Sequence, residues 1–257
     1  MTELDVALEA ARAAGAILAD RGGGPARIRH KGLVDLVTEV DLACEAAVLE
    51  VLERHTPEIP ILSEEKAGDS EADTRWVVDP LDGTTNYVHG FPVYAVSVAL
   101  EVDGEGFVAV IFDPVRGLAY TARRGAGAWC NGARMQVSDC RDLGQALVGT
   151  GFPYDRREGD NARFYTRYLE AMIRNAQGVR RAGAAAMDLA MLAAGNLDAF
   201  WEFKLRWWDV AAGRLLVEEA GGRFSGHDGG EVDRSWPSPL VTNGWLHEQM
   251  MVLLERV

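Results

Sequence analysis

Residues 76–86 read Trp-Val-Val-Asp-Pro-Leu-Asp-Gly-Thr-Thr-Asn. The apolar run Trp76-Val77-Val78 predicts a strand, and it delivers two carboxylates, Asp79 and Asp82, to the strand's mouth. Carboxylates packed this closely repel each other, so the pattern calls for a cation between them. Mg²⁺ fits, because it is a hard ion that takes carboxylates, carbonyls and water. Gly83 and Thr84 then offer backbone N–H groups suited to an anionic oxygen. A metal and an anion cradle in one loop point to phosphate chemistry.

The neighbouring segments frame this loop. Leu4, Leu8, Ala11, Gly15 and Leu18 share one helical face, which ends near the glycines at 22–24. A second helix is expected over 41–54, with Thr38 as its N-cap and Asp41 three residues on, a capping-box arrangement. Residues 59–62 read as a short strand that delivers Ser63-Glu64-Glu65. Downstream, runs 94–102 and 106–112 flank Asp103-Gly104, a hairpin signal. Another strand is expected over 117–122, and Asn131-Gly132 marks a turn. Beyond about residue 140 the pattern changes. Strands at 146–150, 197–202 and 240–242 alternate with helices at 161–175, 184–194, 208–220 and from about 246. The expectation is a layered α+β fold in two tightly joined halves. Residues 1–140 would carry most of the candidate metal ligands, and residues 141–257 would carry Asp209 and the substrate side.

Composition narrows the function. The chain has 257 residues, of which 48% are hydrophobic, ample for a buried core. With 26 basic and 39 acidic residues the formal charge is −13, which argues against nucleic acid as a partner because phosphate backbones need a basic footprint. An acidic protein that handles phosphate needs bound cations to invert the local field. The three cysteines, Cys44, Cys130 and Cys140, lack metal-ligand spacing and fit a reducing cytoplasm. The acidic N-terminus argues against a signal peptide, and no apolar run approaches the ~20 residues of a membrane helix.

Four acids fall where segments should end side by side: Glu64, Asp79, Asp82 and Asp209. Two Mg²⁺ ions could share Asp79 as a bridge, one completed by Glu64 and the Leu81 carbonyl, the other by Asp82 and Asp209. A pair of metals ~3.5–4 Å apart clamps the attacking and leaving oxygens of phosphoryl transfer. Each acid also has a plainer reading. Asp79-Pro80 and Asp82-Gly83 are ordinary turn pairs, Asp209 suits a helix N-terminus, and Glu64 alone says little. Trp207-Trp208 reads as core or interface, Arg180-Arg181 as a subunit contact or solvated turn, His89 as a loop residue, and Phe91, Tyr94, Phe152 and Tyr154 as packing residues.

The joint pattern resembles a known family. Residues 76–92, WVVDPLDGTTNYVHGFP, resemble the first signature of the inositol monophosphatase family, and WWDVAA at 207–212 through EAGG at 219–222 looks like its second. DLVTEVD at 35–41 and SEE at 63–65 match two further blocks in the right order, and RAGAAA at 181–186 is similar to the substrate-side loop. The resemblance spans nearly the whole chain. It implies an α/β/α/β/α sandwich of the sugar-phosphatase type, a homodimer, and Mg²⁺-dependent, lithium-sensitive hydrolysis of a small phosphomonoester with two or three ions. The implied metal ligands are Glu64, Asp79, the Leu81 carbonyl, Asp82 and Asp209. Thr84 and Glu64 would position the attacking water, with Asp41 bonded to Thr84. The implied substrate-binding set is Asp82, Gly83, Thr84, Gly183, Ala184, Ala185 and Glu202, with Lys31 and Glu65 as further candidates. Ala184 stands where many relatives have Ser or Thr, and Ser63 where relatives often have Gly. The expected substrate is myo-inositol 1-phosphate or a related polyol monophosphate. The rivals are fructose 1,6-bisphosphate, histidinol phosphate and a nucleotide 3′-phosphate. Thr85-Asn86-Tyr87 favours the inositol type over histidinol-phosphate relatives. A partner-binding protein that retains the fold is the reading from another class.

Overall fold

The computed structural model describes residues 1–22, 28–30, 36–66 and 72–257. Helix α1 (Glu3–Arg21) opens on a capping box in which the Thr2 hydroxyl accepts from the Asp5 N–H at 3.2 Å and the Asp5 carboxylate accepts from the Thr2 N–H at 2.9 Å. The short antiparallel pair β1 (Ile28–His30) and β2 (Leu36–Thr38) leads into α2 (Glu39–His55). Helix α2 starts two residues earlier than the sequence suggests.

A seven-stranded sheet follows: β3 (Ile61–Ser63), β4 (Arg75–Asp82), then, after the one-turn helix α3 (Thr84–Val88), β5 (Ala95–Val102), β6 (Glu105–Asp113), β7 (Leu118–Arg123), β8 (Gly127–Cys130) and β9 (Ala133–Arg134). They lie in sequence order, all antiparallel except β3 beside β4. The β5–β6 turn has Asp103 and Gly104 at φ 52° and 76°, the left-handed pair a two-residue hairpin requires.

The second sheet has the order β11-β10-β12-β14-β13. It comprises β10 (Leu147–Thr150), β11 (Gly178–Arg180), β12 (Ala199–Trp201), β13 (Arg223–Gly226) and β14 (Pro239–Thr242). Its helices are α4 (Asn161–Asn175), α5 (Ala185–Ala193), α6 (Trp207–Glu219) and α7 (His247–Glu255). Strands β11 and β13 are absent from the sequence reading, since Gly178-Val179-Arg180 and Arg223-Phe224-Ser225-Gly226 are too short and mixed to show a period of two.

Three apolar clusters define the layers. Helices α1 and α2 cover one face of the first sheet through Ala10, Ala14, Val48 and Leu52 against Trp76, Val98 and Val110. Helices α5 and α6 form the middle layer, where Met187, Leu189, Val210 and Leu216 meet Val77 and Ile111 on one side and Phe200 and Val241 on the other. Helices α4 and α7 cover the outer face of the second sheet through Met172, Met250 and Leu254. The result is the expected α/β/α/β/α sandwich. Close approach within the middle layer depends on Gly213, where a Cβ would lie 2.6 Å from that of Leu189.

Candidate active site

The parallel register of β3 on β4 pairs Ser63 with Val78, so Glu64 emerges beside Asp79. The Glu64 N–H donates to the Val78 carbonyl at 3.3 Å. The sequence places Asp79 at a strand end and Asp82 in the following turn; in the structure both belong to β4, and the ladder breaks between them. Asp79 pairs with Ser97 and Asp82 with Ala95, three steps on β4 against two on β5. That extra residue is a β-bulge. In a regular strand, residues i and i+3 face opposite sides; the bulge shifts the phase and lets both acids bear on one site.

Asp79 is 2% exposed, and its Oδ1 accepts from the Leu81 N–H at 3.0 Å. Burial first, then the charges of Glu64, Asp82 and Asp209, hold its carboxyl well above the usual range. Asp82 crosses to the other half of the chain, where its Oδ2 accepts from the Ala186 N–H at 2.8 Å in the first turn of α5. Burial pushes Asp82 up to about 6, and the amides of Ala186, Met187 and Ala185 hold it back from going further. Asp209 lies in the first turn of α6, its Oδ2 accepting from the Arg206 N–H at 2.7 Å. The helix-capping reading of Asp209 is therefore also realised.

Four acids from three segments thus share one electrostatic neighbourhood. Among the described residues, no three His, Cys, Asp or Glu side chains close into a finished metal shell. Asp79, Asp82 and Asp209 each engage a backbone N–H through one oxygen. Neither Asp79 nor Asp82 has a salt-bridge partner among the described residues. Mg²⁺ needs only one or two protein carboxylates and fills its shell with water and substrate oxygens. A buried, hard-oxygen, anionic donor set without a salt-bridge partner at Asp79 or Asp82 fits such an ion.

The phosphate-side loop is held from three directions. Gly83 has φ 89°, and a Cβ there would meet the Val93 carbonyl at 3.1 Å and the Ala184 Cβ at 3.2 Å. The Thr84 hydroxyl donates to Asp41 Oδ1 at 2.8 Å and lies 3.2 Å from the Leu81 carbonyl. Asp41 is buried on α2. The Asn86 amide donates to the carbonyls of Val93 at 2.6 Å and Ala182 at 2.9 Å, tying α3 to the loop before α5. Glu45, also buried on α2, accepts from the Ser63 hydroxyl at 2.6 Å and the Lys66 N–H at 2.8 Å, which pins the segment carrying Glu64 and half-buried Glu65. Ser63 thus adds a tether that glycine lacks. Lys31 lies outside the described residues.

On the opposite wall, Gly183 at φ 87° precedes Ala184, the N-cap of α5, and Ala185, its first residue. Glu202 follows β12, 9% exposed, and burial with the charges of Asp188 and Asp209 raises its carboxyl well above the usual range. Asp188 did not figure in the sequence reading. The available signal was an acid inside an otherwise apolar helix, AAMDLAMLA, since such a residue faces either solvent or a site. It is 2% exposed, with its acid raised by burial and by Asp82. Arg181 lowers both Asp188 and Glu202, so Arg181, just past the end of β11, bears on the site. Glu45 and the tethering role of Asn86 were missed as well, because their partners Ser63, Lys66 and Ala182 lie far away in sequence. Tyr94 and Phe152 pack as expected, but Phe91 and Tyr154 are 48% and 58% exposed, since their loops turn them outward. Trp207 is buried, with Nε1 donating to Glu101 at 2.9 Å.

Comparison with known proteins agrees with this architecture. The model of the inositol monophosphatase family matches residues 1–257. The chain is 46% identical over 232 residues to a Pseudomonas aeruginosa protein named Nus factor SuhB, covering 88% of this chain and 86% of that one. It is 41% identical over 253 residues to the inositol-1-monophosphatase of Synechocystis sp., covering 97% and 87%. The crystal structure of the extragenic suppressor protein suhB from Bartonella henselae superposes with a TM-score of 0.91 at 35% identity, over 98% of both chains.

Proposed function

The chain belongs to the inositol monophosphatase family, and from that premise we propose that its substrate is myo-inositol 1-phosphate or a related polyol monophosphate. As a family member it is a phosphoric monoester hydrolase, and the family is generally Mg²⁺-dependent. In our reading Glu64, Asp79, the Leu81 carbonyl, Asp82 and Asp209 hold two or three Mg²⁺ ions. Bound Mg²⁺ lowers the pKa of water and neutralises charge on the transferring phosphoryl group. Thr84, fixed by Asp41, orients the attacking water together with Glu64. The Gly83 and Thr84 amides bind phosphate oxygens, and no covalent nucleophile is required. On the far wall Glu202 accepts hydrogen bonds from substrate hydroxyls, and the small residues Gly183, Ala184 and Ala185 let the backbone approach the ring. Lithium sensitivity, a homodimer and a cytoplasmic location complete the reading. Among the described residues no helix is long and apolar enough to cross a membrane.

The observation that carries this proposal is Asp79, sealed from solvent and influenced by three other acids. Phosphate release with Mg²⁺ should fall on the order of 10²–10³-fold in Asp79→Asn, the range for loss of one preorganised electrostatic partner. Fructose 1,6-bisphosphate, histidinol phosphate and a nucleotide 3′-phosphate complete the substrate panel. A second reading, a partner-binding protein that keeps the fold, draws support from the relative named a Nus factor. It predicts that wild type and Asp79→Asn are equally inert on every phosphomonoester.

A further inference from the structure

The end of β10 is bare of side chains on one face. Gly149 and Gly151 are two residues apart, so they present the same side of an extended chain, and each stands opposite a buried acid. A Cβ at Gly151 would lie 2.1 Å from Glu202 Oε1 and 2.2 Å from Oε2. At Gly149 it would lie 3.6 Å from the Asp188 carboxyl carbon, with Leu197 and Phe200 at 3.0 and 3.2 Å. The two glycines therefore leave room on one face of the strand end for two carboxylates, and the Asp188 charge reaches Glu202.

Among the described residues, neither Asp188 nor Glu202 accepts a side-chain hydrogen bond or forms a salt bridge, although both are more than nine-tenths buried. Among the described residues, the one sealed side-chain polar atom without a partner is Trp201 Nε1. The oxygens of these two acids therefore open onto space that solvent reaches. That space adjoins the metal-side acids, because Asp82 bears on both Asp188 and Glu202, and Asp209 on Glu202. A buried carboxylate without a partner is costly, and a substrate hydroxyl relieves it by donating a hydrogen bond. Carboxylate oxygens accept hydrogen bonds from hydroxyls, and their negative charge repels a second phosphate. Arg181 offsets part of that charge.

We propose that Asp188, set beside Glu202 by the bare strand end at Gly149 and Gly151, is a specificity-determining residue: the two carboxylates form a wall that accepts polyol hydroxyls and turns away a substrate carrying a second phosphate. Gly151 is a positioning residue that acts through Glu202. The inference deepens the polyol-monophosphate reading above and rests on it.

The test measures kcat and KM with Mg²⁺ for myo-inositol 1-phosphate and fructose 1,6-bisphosphate, with p-nitrophenyl phosphate as the control for phosphatase activity in the wild type. Asp188→Asn should raise KM for the inositol phosphate roughly tenfold, as expected for loss of a charged hydrogen bond, with kcat within about twofold. It should lower KM for the bisphosphate, narrowing the wild-type preference. Asp188→Ala serves if the Asn variant does not fold. Gly151→Ala should raise KM for the inositol phosphate by a similar factor, and this effect should disappear in a Glu202→Ala background, where no side chain remains for the new Cβ to displace. A wild type that cleaves p-nitrophenyl phosphate, with unchanged preference in both Asp188 variants or with additive Gly151 and Glu202 effects, overturns this inference alone. A wild type inert on all three esters overturns the hydrolase reading and the inference together.

Discussion

Asp79 sits where an isolated carboxylate is least welcome. It is nearly sealed from solvent and influenced by Glu64, Asp82 and Asp209, so holding it ionised without a cation opposes folding. The sign of a stability measurement follows. In EDTA, Asp79→Asn should melt higher than wild type by about 2–4 °C, the shift that ~1 kcal/mol produces in a chain of this size. Adding Mg²⁺ should raise the melting temperature of wild type and leave the variant nearly unchanged. A variant that melts lower than wild type in EDTA would mean that Asp79 is held by favourable contacts rather than relieved by a cation. At this scale the grouping of acids was legible: Asp79 and Asp82 of DPLDGTT stood out by their spacing, and the fold brings Glu64 and Asp209 near Asp79. Asp188 was not, because a lone acid in an alanine-rich helix carries no spacing partner.

At the scale of the element, α7 is anchored through His247. Its imidazole is buried, with Nε2 2.9 Å from the Ser225 hydroxyl on β13 and Nδ1 3.1 Å from the Thr242 hydroxyl on β14. Burial, with a smaller effect from Arg223, pushes His247 down to about 4. Below its ordinary value of 6.5 the unfolded chain binds a proton that the folded chain refuses. Stability from this group is therefore complete above pH 6.5 and is lost as pH falls toward 4. His227, lowered to about 4 by burial, acts in the same direction. Replacing His247 with Gln should remove about half of the histidine-linked loss, read as melting temperatures at pH 7.5 and 5. Comparing variant with wild type cancels the buried acids, whose shifts run the other way. An unchanged pH slope would refute the assignment. Most elements were legible from periodicity and turn residues, including the Asp103-Gly104 hairpin. The three-residue strand β11 was not, since three residues establish no period and only its pairing with β10 defines it.

For the whole molecule, the halves inferred at 1–140 and 141–257 each hold a sheet, but α5 and α6 pack into one core that touches both. Asp82 and Asn86 of the first half also bond the loop and helix start at 182–186 of the second. We therefore expect one cooperative unfolding transition. Urea midpoints from far-ultraviolet circular dichroism and tryptophan fluorescence should coincide within about 0.2 M, small against midpoints set by an m-value that grows with size. Two separated transitions would show that the halves unfold independently.

The sequence by itself determined the order of most elements and the family, and it singled out the acids of the loop at 79–82, because these depend on residue type and on spacing within a few turns of chain. The tertiary structure alone decided that a bulge brings Asp79 and Asp82 to one side, that Asp82 accepts from the start of α5, and that Asp188 joins Glu202 opposite two glycines. Those facts arise from contacts between residues tens of positions apart, where burial and strand register, rather than local propensity, set what each side chain meets.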